Sequence, residues 1–264
     1  MAERVSYKNE AAAGYDRAMA RVSKAFIPSL LRVARLAEGN RVLDIATGTG
    51  AIAEAALALI GPTGHITAAD ISAPMVEEAR KRLAAVPNAS VVIEDGQSLS
   101  FNDDCFDAVL CGLGLMFFPD PLRGLSEFRR VLRPGGRAAV SINTRPERSY
   151  HGRINLVIAR HVPALSEAIA RGSSLGDGVQ LRSLLQSAGL CNVETSTEIR
   201  RFALSSFDDY FDPIERGGGS TGQRFLTLPE AARRAVREEV RRSLGSPEGP
   251  FEVEVEIRFA WGVR

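Results

Sequence analysis

Short apolar runs rich in β-branched residues alternate with amphipathic stretches through the first half of the chain. The runs RVLDIA, HITAAD, SVVIE, FDAVLC and GRAAVSIN predict strands, and AIAEAALALI, APMVEEARKRLAAV and PLRGLSEFRRVL predict helices. In the last helix, Leu122, Leu125 and Phe128 recur at helical spacing, and the RPGG of residues 133–136 predicts its end. Strands and helices that alternate in this way predict an α/β fold whose parallel sheet is covered on both faces.

Beyond residue 190 the pattern changes to a strict alternation of apolar and polar positions. Val193, Thr195 and Ile199 alternate with charged or hydroxyl residues, and residues 251–261 alternate Phe, Val, Ile and Trp with Glu and Arg. This period is typical of half-exposed strands. We therefore expect an antiparallel C-terminal strand pair beside five parallel strands, which together make a doubly wound, mostly parallel sheet of seven strands.

Two segments fall outside this scheme. Residues 1–38 predict helices with an apolar stripe, and residues 145–178 form a weakly patterned insertion after the last parallel strand. Binding sites in open parallel sheets lie beyond the carboxyl ends of the strands, so both segments could fold over the site as helical lids. The chain thus divides into an N-terminal lid (1–38), a core (39–144), a substrate lid (145–178) and a C-terminal part of the core (179–264).

Two stretches near the C-terminus have a marked composition. ERGGGSTGQ, residues 215–223, predicts a flexible loop because glycine and serine dominate it. The arginine-rich residues 229–243 predict a helix, and the glutamates between the arginines favour a solvated face over a binding patch.

The composition limits what the chain can bind. Its 264 residues are 45% hydrophobic, enough for an independent core, and 33 Lys and Arg against 32 Asp and Glu leave little net charge to hold nucleic acid or an anionic membrane. Cys105, Cys111 and Cys191 are scattered, which is typical of a reducing compartment and not of a disulfide framework or a zinc site. No apolar run is long enough for a membrane span, and the N-terminus lacks the apolar core of a signal peptide. We expect a cytoplasmic protein that binds a small molecule, and the sequence leaves a homodimer open.

The stretch VLDIATGTG, residues 42–50, carries the first chemical signal. Gly48, Gly50 and Ala53 match G-x-G-x-x-G/A between a strand and a helix, the fingerprint of dinucleotide binding. Asp44, however, lies in the strand just before the glycines, where its carboxylate would repel a pyrophosphate. A ligand with an ammonium group and a ribose but no phosphate fits better, because Asp44 can face the cation directly or through a water.

S-adenosylmethionine has these groups, and the stretch resembles the first motif of the class I S-adenosylmethionine-dependent methyltransferases. AADIS, EDGQSLSF, FDAVLCGLGLMFF and VLRPGGRAAVS resemble later motifs of the family in the same order, over roughly residues 38–142. The set looks most like the ubiquinone and menaquinone branch and its small-molecule relatives. The resemblance implies a Rossmann-like fold and S-adenosyl-L-methionine as cofactor. It also implies a cofactor site formed by Asp44, Ala46, Thr47, Gly48, Thr49, Gly50, Asp70, Ile71, Met75, Asp95, Gly96, Gln97, Cys111 and Gly112.

The resemblance assigns roles to two acidic residues and argues against a metal. Asp70 would accept hydrogen bonds from the ribose hydroxyls, and Asp95 would meet the adenine amino group while the next backbone amide meets the ring. Catechol-type relatives place an acidic metal ligand just after the fourth strand, where this chain has Cys111 and Gly112. We therefore expect no metal and no effect of a chelator on activity.

Methyl transfer from a sulfonium is an in-line displacement, so the protein mainly has to align the nucleophile and exclude water. A phenol or a carbon acid also needs a base. His151 and His161 in the insertion are candidates because histidine accepts protons near neutral pH, and Tyr15 could close over the cofactor or hydrogen-bond the substrate. His65 begins a strand, at the opposite end of the sheet, and is excluded.

Candidate substrate residues are Met116, Phe117 and Tyr150. The apolar residues after the fourth strand favour an aromatic, quinone-like or lipophilic acceptor that is methylated on carbon or oxygen rather than nitrogen, although such a stripe is also ordinary core. Two alternatives remain open. An NAD(P)-dependent oxidoreductase shares the glycine turn and the carboxylate of Asp70, and a non-catalytic protein could keep the cofactor fold as a binding subunit.

Overall fold

The computed structural model describes the backbone of residues 9–264 and the side chains from residue 21 onward. The strands in this range are β1 (Arg41–Ile45), β2 (His65–Asp70), β3 (Ala89–Ile93), β4 (Phe106–Gly112), β5 (Leu132–Asn143), β6 (Cys191–Leu204) and β7 (Phe251–Val263). They form one sheet in the order β3-β2-β1-β4-β5-β7-β6. Strands β1 to β5 pair in parallel, whereas β7 is antiparallel to both β5 and β6. The predicted seven-stranded α/β sheet with antiparallel C-terminal strands is confirmed.

The helices are α1 (Asn9–Ala34), α2 (Ala51–Ile60), α3 (Ala73–Leu83), α4 (Pro121–Val131), α5 (Gly152–His161), α6 (Ser166–Arg171), α7 (Gly178–Ser187), α8 (Phe207–Glu215), α9 (Gly219–Leu226) and α10 (Glu230–Ser243). Short 3-10 turns lie at Leu115–Phe117, Pro146–Arg148 and Pro163–Leu165. Helix α4 begins where Asp120 accepts a hydrogen bond from the backbone N–H of Arg123 at 3.0 Å. It ends at Val131, and the RPGG of residues 133–136 lies in the irregular start of β5.

Alternate residues of the buried strands face two separate apolar clusters, one on each side of the sheet. Val42 packs with Phe26 of α1 and Ala53 of α2, whereas Leu43 packs with Phe128 of α4 and Leu181 of α7. Burial of each large side chain contributes about 1.5 to 3 kcal/mol, so both faces hold their helices firmly. Over residues 9–264, no helix combines the length and the apolar character that crossing a bilayer requires.

Strand β6 changes its buried face along its length. Near its start Val193 is buried, as the alternation predicts, but Ile199 is 50% exposed. Phe202 and Leu204, at positions of the opposite parity, are buried instead, and the ring centroid of Phe202 lies 6.2 Å from that of Phe26. Because β6 is an edge strand with α7 on one face and α1 on the other, the nearer helix decides which parity is buried.

The glycine-rich residues 215–223 are not a flexible loop, so that prediction is wrong. Helix α8 ends at Glu215 and α9 begins at Gly219. Gly217 makes the turn between them with φ of +81°, and a Cβ on Gly222 would lie 2.5 Å from the backbone of Gly217. The glycines therefore allow a tight turn and close helix packing, a use of glycine that composition does not distinguish from flexibility.

The arginine-rich helix α10 is not only a solvated face. Val236 and Val240 are fully buried, and the guanidinium of Arg237 lies 5.2 Å and 5.3 Å from the ring centroids of Phe207 and Phe211. Arg237 also forms ion pairs with acidic residues of α8. Since α10 also packs against α5, it holds α8 and α5 in place.

Candidate functional site

The candidate site lies at the carboxyl ends of β1, β2 and β4, where the strand order reverses between β1 and β4. The turn from β1 to α2 has left-handed backbone at Ala46, Gly48 and Gly50, with φ of 56°, 56° and 83°. The N–H of Thr47 donates to the carbonyl of Ala69 in β2 at 3.0 Å and fixes the turn on the neighbouring strand. For Ala46 this conformation costs about 1 kcal/mol or more, a strain of the kind found at ligand sites.

The two glycines of the turn serve different purposes. A Cβ at Gly48 would meet no atom within 4 Å, so Gly48 faces open space. A Cβ at Gly50 would lie 3.3 Å from the Cβ of Ala79, so Gly50 allows the start of α2 to pack closely on α3. A cleft opens beside the turn, at the carboxyl edge of the sheet. Of these two predicted cofactor residues, only Gly48 lines it.

Asp44 lies beneath the turn, fully buried, and does not line the cleft. The hydroxyl of Thr47 donates to Oδ2 of Asp44 at 2.5 Å, while Oδ1 has no hydrogen-bond partner among the described residues. Burial raises the pKa of Asp44 to about 7; the Thr47 hydroxyl opposes this rise and the nearby Asp70 carboxylate adds to it. A carboxyl group in this state ionises when a cation approaches. The predicted interaction of Asp44 with a cation, directly or through a water, stays a prediction, and from this position the charge of Asp44 would act from beneath the turn.

Asp70, at the end of β2, presents its carboxylate to the cleft. Its Oδ2 accepts a hydrogen bond from the N–H of Gly48 and its Oδ1 one from the N–H of Ser72, each at 2.9 Å. Burial raises the pKa of Asp70, and these backbone donors oppose the rise. Each oxygen retains acceptor capacity, so the fixed carboxylate can receive two vicinal hydroxyls.

Asp95, Gly96 and Gln97 form the wall of the cleft after β3. Oδ1 of Asp95 accepts a hydrogen bond from the N–H of Gln97 at 3.0 Å, which closes the turn, and Oε1 of Gln97 accepts one from the N–H of Asp120 at 2.7 Å. A Cβ on Gly96 would lie 2.5 Å from the ring of Phe118. The glycine therefore allows Phe118 to close one side of the cleft.

We call this space, of about 820 Å³, the main cleft. The predicted cofactor residues that line it are Ala46, Gly48, Asp70, Ile71, Met75, Asp95, Gly96, Gln97 and Gly112. Thr47 and Thr49 line an adjoining space of about 640 Å³ that α1 covers with Phe26, Ile27 and Leu30.

Cys111 does not reach the main cleft, contrary to the prediction for it. It is fully buried in the apolar cluster behind the cleft, and burial raises the pKa of its thiol far above the usual range. The next residue, Gly112, lines the cleft instead, because it is the last residue of β4, at the carboxyl edge of the sheet where the cleft lies.

Leu113 is the most informative lining residue that was not predicted. It follows β4 with φ of 54°, which is strained for leucine, and it lines the main cleft, the adjoining space and a third cavity. Its position at the switch point between β1 and β4 is the signal that could have revealed it. Other lining residues of the main cleft that were not predicted are Ile45, Ser72, Glu94, Gly114 and Pro119.

The third cavity, of about 900 Å³, shares Leu113 and Phe117 with the main cleft. We call it the lid cavity because residues of α1, α5, α6 and α9 close it. Its apolar walls are formed by Val22, Met116, Ile169, Val255 and Ile257, and its polar groups include His151, Asn155, Thr221 and Arg224. All three predicted substrate residues, Met116, Phe117 and Tyr150, line this cavity.

The three candidate catalytic residues differ in position. His151 lines the lid cavity; its Nε2 is buried without a hydrogen-bond partner among the described residues, and burial lowers its pKa to about 4. His161, at the end of α5, lies 2.8 Å from Glu239 of α10 and lines none of the three cavities, so the fold does not bring it to the site. Tyr15 lies outside the residues whose side chains are described.

The main cleft fits a ligand that combines a cation and a ribose without a phosphate. The orphaned Oδ1 of Asp44 favours positive charge nearby, Asp70 can receive two hydroxyls, and Gly48 leaves room along the turn. Its described lining contains no Lys or Arg that could hold a pyrophosphate. S-adenosyl-L-methionine meets all of these conditions. Among the described residues, no group of three or more His, Cys, Asp or Glu is arranged to hold a metal.

Comparison of sequences agrees with this chemistry. A family model described as a methyltransferase domain matches residues 42–136. A demethylmenaquinone methyltransferase of Clavibacter sepedonicus is 37% identical over 168 residues, which cover 59% of this chain and 67% of the relative. A demethylmenaquinone methyltransferase of Staphylococcus aureus strain JH9 is 38% identical over 109 residues, 41% of this chain, and the chain spans only 45% of the length of that relative.

Comparison of structures finds the same fold in a solved methyltransferase. A phosphoethanolamine N-methyltransferase of Haemonchus contortus, solved in complex with S-adenosyl-L-methionine, matches with a TM-score of 0.62 at 15% identity over 98% of this chain and 57% of that chain. At this identity the likeness shows the fold alone. The oxidoreductase alternative is wrong, because the matched family and the named relatives are methyltransferases. The chain therefore belongs to the class I S-adenosylmethionine-dependent methyltransferases, enzymes that take a methyl group from S-adenosyl-L-methionine.

Proposed function

We propose that the enzyme methylates a carbon or an oxygen of a small apolar acceptor, aromatic or quinone-like, that binds in the lid cavity. The observation that carries this proposal is that the lid cavity shares Leu113 and Phe117 with the main cleft. An acceptor in the lid cavity would therefore lie beside the cofactor. The names of the relatives, which refer to demethylmenaquinone, support a quinone-like acceptor.

The walls of the lid cavity support an apolar acceptor. Met116 and Ile169 are buried, and so are Val255 and Ile257 of β7, which also line the cavity. An aromatic ring among these side chains would lose its contact with water and gain dispersion contacts. The few polar groups would then fix its orientation.

We also propose that α1 and residues 145–178 act as lids. Helix α1 contributes Val22 to the lid cavity and Phe26 to the space beside the glycine turn. Residues 145–178 contribute His151 and Ile169 to the lid cavity. Closure by both would exclude water from the reacting groups, which strengthens electrostatic interactions there.

In the main cleft we propose that Asp70 receives the ribose hydroxyls and that Asp95 faces the adenine amino group. Asp70 is held by two backbone donors, and Asp95 is held in a tight turn, so both are fixed before a ligand arrives. Ile71 and Met75 provide apolar surface in the same cleft. Such preformed acceptors lower the entropy cost of binding.

S-adenosyl-L-methionine supplies a methyl group that its sulfonium charge has already activated. The residues of this chain have to align the nucleophilic atom of the acceptor with that methyl group. They also have to accept the proton that the nucleophile loses. We propose that Nε2 of His151 accepts the proton of the acceptor hydroxyl. Because the pKa of His151 is lowered to about 4, the imidazole is neutral at physiological pH. It is also a weak base, so it would hydrogen-bond the hydroxyl first and take the proton only as the electron pair forms the new bond to the methyl carbon.

A calorimetric titration with S-adenosyl-L-methionine, S-adenosylhomocysteine and NADH tests the cofactor residues. Wild type should bind the two sulfur compounds and not NADH, and Asp70→Ala should lose this binding. Asp103→Ala, which removes an exposed aspartate outside the three cavities, is the matched control. Binding of NADH, or full binding by Asp70→Ala, would contradict the assignment.

An acceptor screen with naphthols and benzenediols tests the lid cavity. Wild type should methylate at least one of these compounds, and His151→Ala should lose turnover while it still binds S-adenosyl-L-methionine. His161→Ala is the control, since His161 pairs with Glu239 outside the cavities. Turnover by His151→Ala at the wild-type rate would eliminate His151 as the proton acceptor.

A further inference from the structure

Two buried polar atoms in the lid cavity have no hydrogen-bond partner among the described residues. They are Nε2 of His151 and Oδ1 of Asn155. A buried polar atom without a partner destabilises a fold, and such atoms are rare in native proteins. His151 already has a proposed role as proton acceptor, whereas no role has been given to Asn155.

The two side chains project from neighbouring turns at the start of α5. The N–H of Asn155 donates to the carbonyl of His151 at 3.0 Å, so the two residues are one helical turn apart. Residues with this spacing lie on the same face of a helix, with about 5 to 6 Å between their Cβ atoms. Both face the lid cavity.

The amide of Asn155 is bonded to α9. Its Nδ2 donates to Oγ1 of Thr221 at 2.9 Å, and Thr221 is itself buried at the start of α9. This hydrogen bond fixes the amide nitrogen on α9 and leaves the amide oxygen as the free group. An amide oxygen only accepts hydrogen bonds, so a group that satisfies it must carry an O–H or N–H.

We propose that Asn155 determines acceptor specificity by accepting a hydrogen bond from a second hydroxyl or N–H group of the acceptor, apart from the group that reacts beside His151. This inference rests on the proposed function, because it takes the lid cavity as the acceptor site. The acceptor then has an apolar body with two donor groups on it, so a quinone-like acceptor would bind in its reduced hydroquinone form. A carbonyl or ether at the second position would face the amide oxygen with another acceptor and bind more weakly.

Two probes with the same ring system test this inference. They are 1,4-dihydroxynaphthalene, handled without oxygen, and 4-methoxy-1-naphthol, which keeps one hydroxyl and has no second donor. Each is titrated into the protein saturated with S-adenosylhomocysteine. Wild type should prefer the dihydroxy compound by about tenfold or more.

Variants at Asn155 separate recognition from structure. Asn155→Ala should bind the two probes with dissociation constants within about twofold of each other. Most of the affinity lost relative to wild type should be affinity for the dihydroxy compound. Asn155→Asp, which keeps an acceptor oxygen, should retain the preference. Thr221→Val should weaken the preference because the amide is no longer held. Gln186→Ala, which removes an exposed amide of α7, is the matched control and should behave as wild type.

The outcomes distinguish this inference from the proposed function. If Asn155→Ala keeps the wild-type preference, or loses affinity for both probes equally, Asn155 does not read the second donor and the inference is overturned. If the loaded wild-type protein binds neither probe, the proposed acceptor class is wrong and the inference fails with it. If Asn155→Ala loses the preference for the dihydroxy compound and Asn155→Asp retains it, the result supports both this inference and the proposed function.

Discussion

Replacement of Asp44 by asparagine should stabilise the ligand-free protein at alkaline pH and weaken its binding of S-adenosyl-L-methionine. Asparagine has nearly the same shape and can still accept the hydrogen bond from Thr47, but it cannot ionise. In the native protein, burial raises the pKa of Asp44 from 3.8 to about 7. The ionised form is therefore disfavoured in the fold relative to the unfolded chain.

The sign and the size of the effect follow from these two pKa values. Between pH 3.8 and about 7 the native protein keeps a proton that the unfolded chain has lost, so the free energy of unfolding decreases as pH rises through this window. Each pKa unit corresponds to about 1.4 kcal/mol, and the whole shift therefore to about 4 kcal/mol. The part of this window between pH 5 and about pH 7 covers about two of these units. The stability of Asp44→Asn relative to wild type should thus increase by about 2 to 3 kcal/mol between pH 5 and pH 8.

Urea unfolding of wild type and Asp44→Asn at pH 5 and pH 8, without ligand, measures this difference. Glu238→Gln, which removes a charge from an exposed position of α10, is the control for a general effect of net charge. Calorimetry at pH 8 should show weaker binding of S-adenosyl-L-methionine to Asp44→Asn, since the negative charge beneath the turn is gone. A stability difference that is the same at both pH values, or a variant less stable than wild type at pH 8, would refute the reasoning.

Three further substitutions test the described contacts. Gly96→Ala should weaken binding of S-adenosyl-L-methionine and destabilise the fold by about 1 to 3 kcal/mol, because a Cβ there would lie 2.5 Å from the ring of Phe118. Calorimetry measures the binding and thermal unfolding measures the stability. Gly249→Ala, where a Cβ meets nothing within 4 Å, is the control for both measurements. If Gly96→Ala and Gly249→Ala had equal effects, the predicted clash would be contradicted. His151→Ala should lower kcat on a hydroxyl acceptor about 100-fold or more. The pH profile of wild-type kcat/KM should show no titration of His151 until pH falls toward about 4. A decrease of kcat/KM near pH 6.5 that His151→Ala abolishes would contradict this. Arg237→Ala should lower the free energy of unfolding in urea by about 1 to 2 kcal/mol without changing cofactor binding, and unchanged stability would mean that its ring and ion-pair contacts contribute nothing.

Local pattern was enough to predict the elements of the cofactor half. Helix α2 spans Ala51–Ile60, the apolar run between Gly50 and Gly61, and both flanking glycines have positive φ. The ends of such elements are set by neighbours in sequence, so they can be read from it. Strand β6 shows the limit, because the burial of Ile199 depends on helices that are distant in the chain and cover different halves of the strand.

The difference between features set by neighbours in sequence and features set by tertiary packing also applies to the site. Gly48 and Asp70 could be predicted because strand, turn and helix fix both positions relative to the sheet. The lid cavity could not, since its polar groups meet only through tertiary packing: Asn155 and Thr221 are 66 residues apart, and the stretch around Thr221 was expected to be a loop. Composition and period describe a helix but do not say which cavity its polar face will line.

The main cleft and the lid cavity share part of one wall, and we therefore expect the cofactor and the acceptor to bind with positive coupling. Leu113, with φ of 54°, and Phe117 line both the main cleft and the lid cavity, so a cofactor that packs on them also fixes a wall of the acceptor site. An acceptor that binds afterwards loses less freedom in that wall, and by reciprocity it tightens cofactor binding by the same factor. A naphthol probe should therefore bind more tightly in the presence of S-adenosylhomocysteine than in its absence, by about fivefold or more. Leu113→Ala, which removes part of the shared wall, should reduce this factor. Equal affinities with and without S-adenosylhomocysteine in wild type would show that the wall is already rigid and that the two sites are independent.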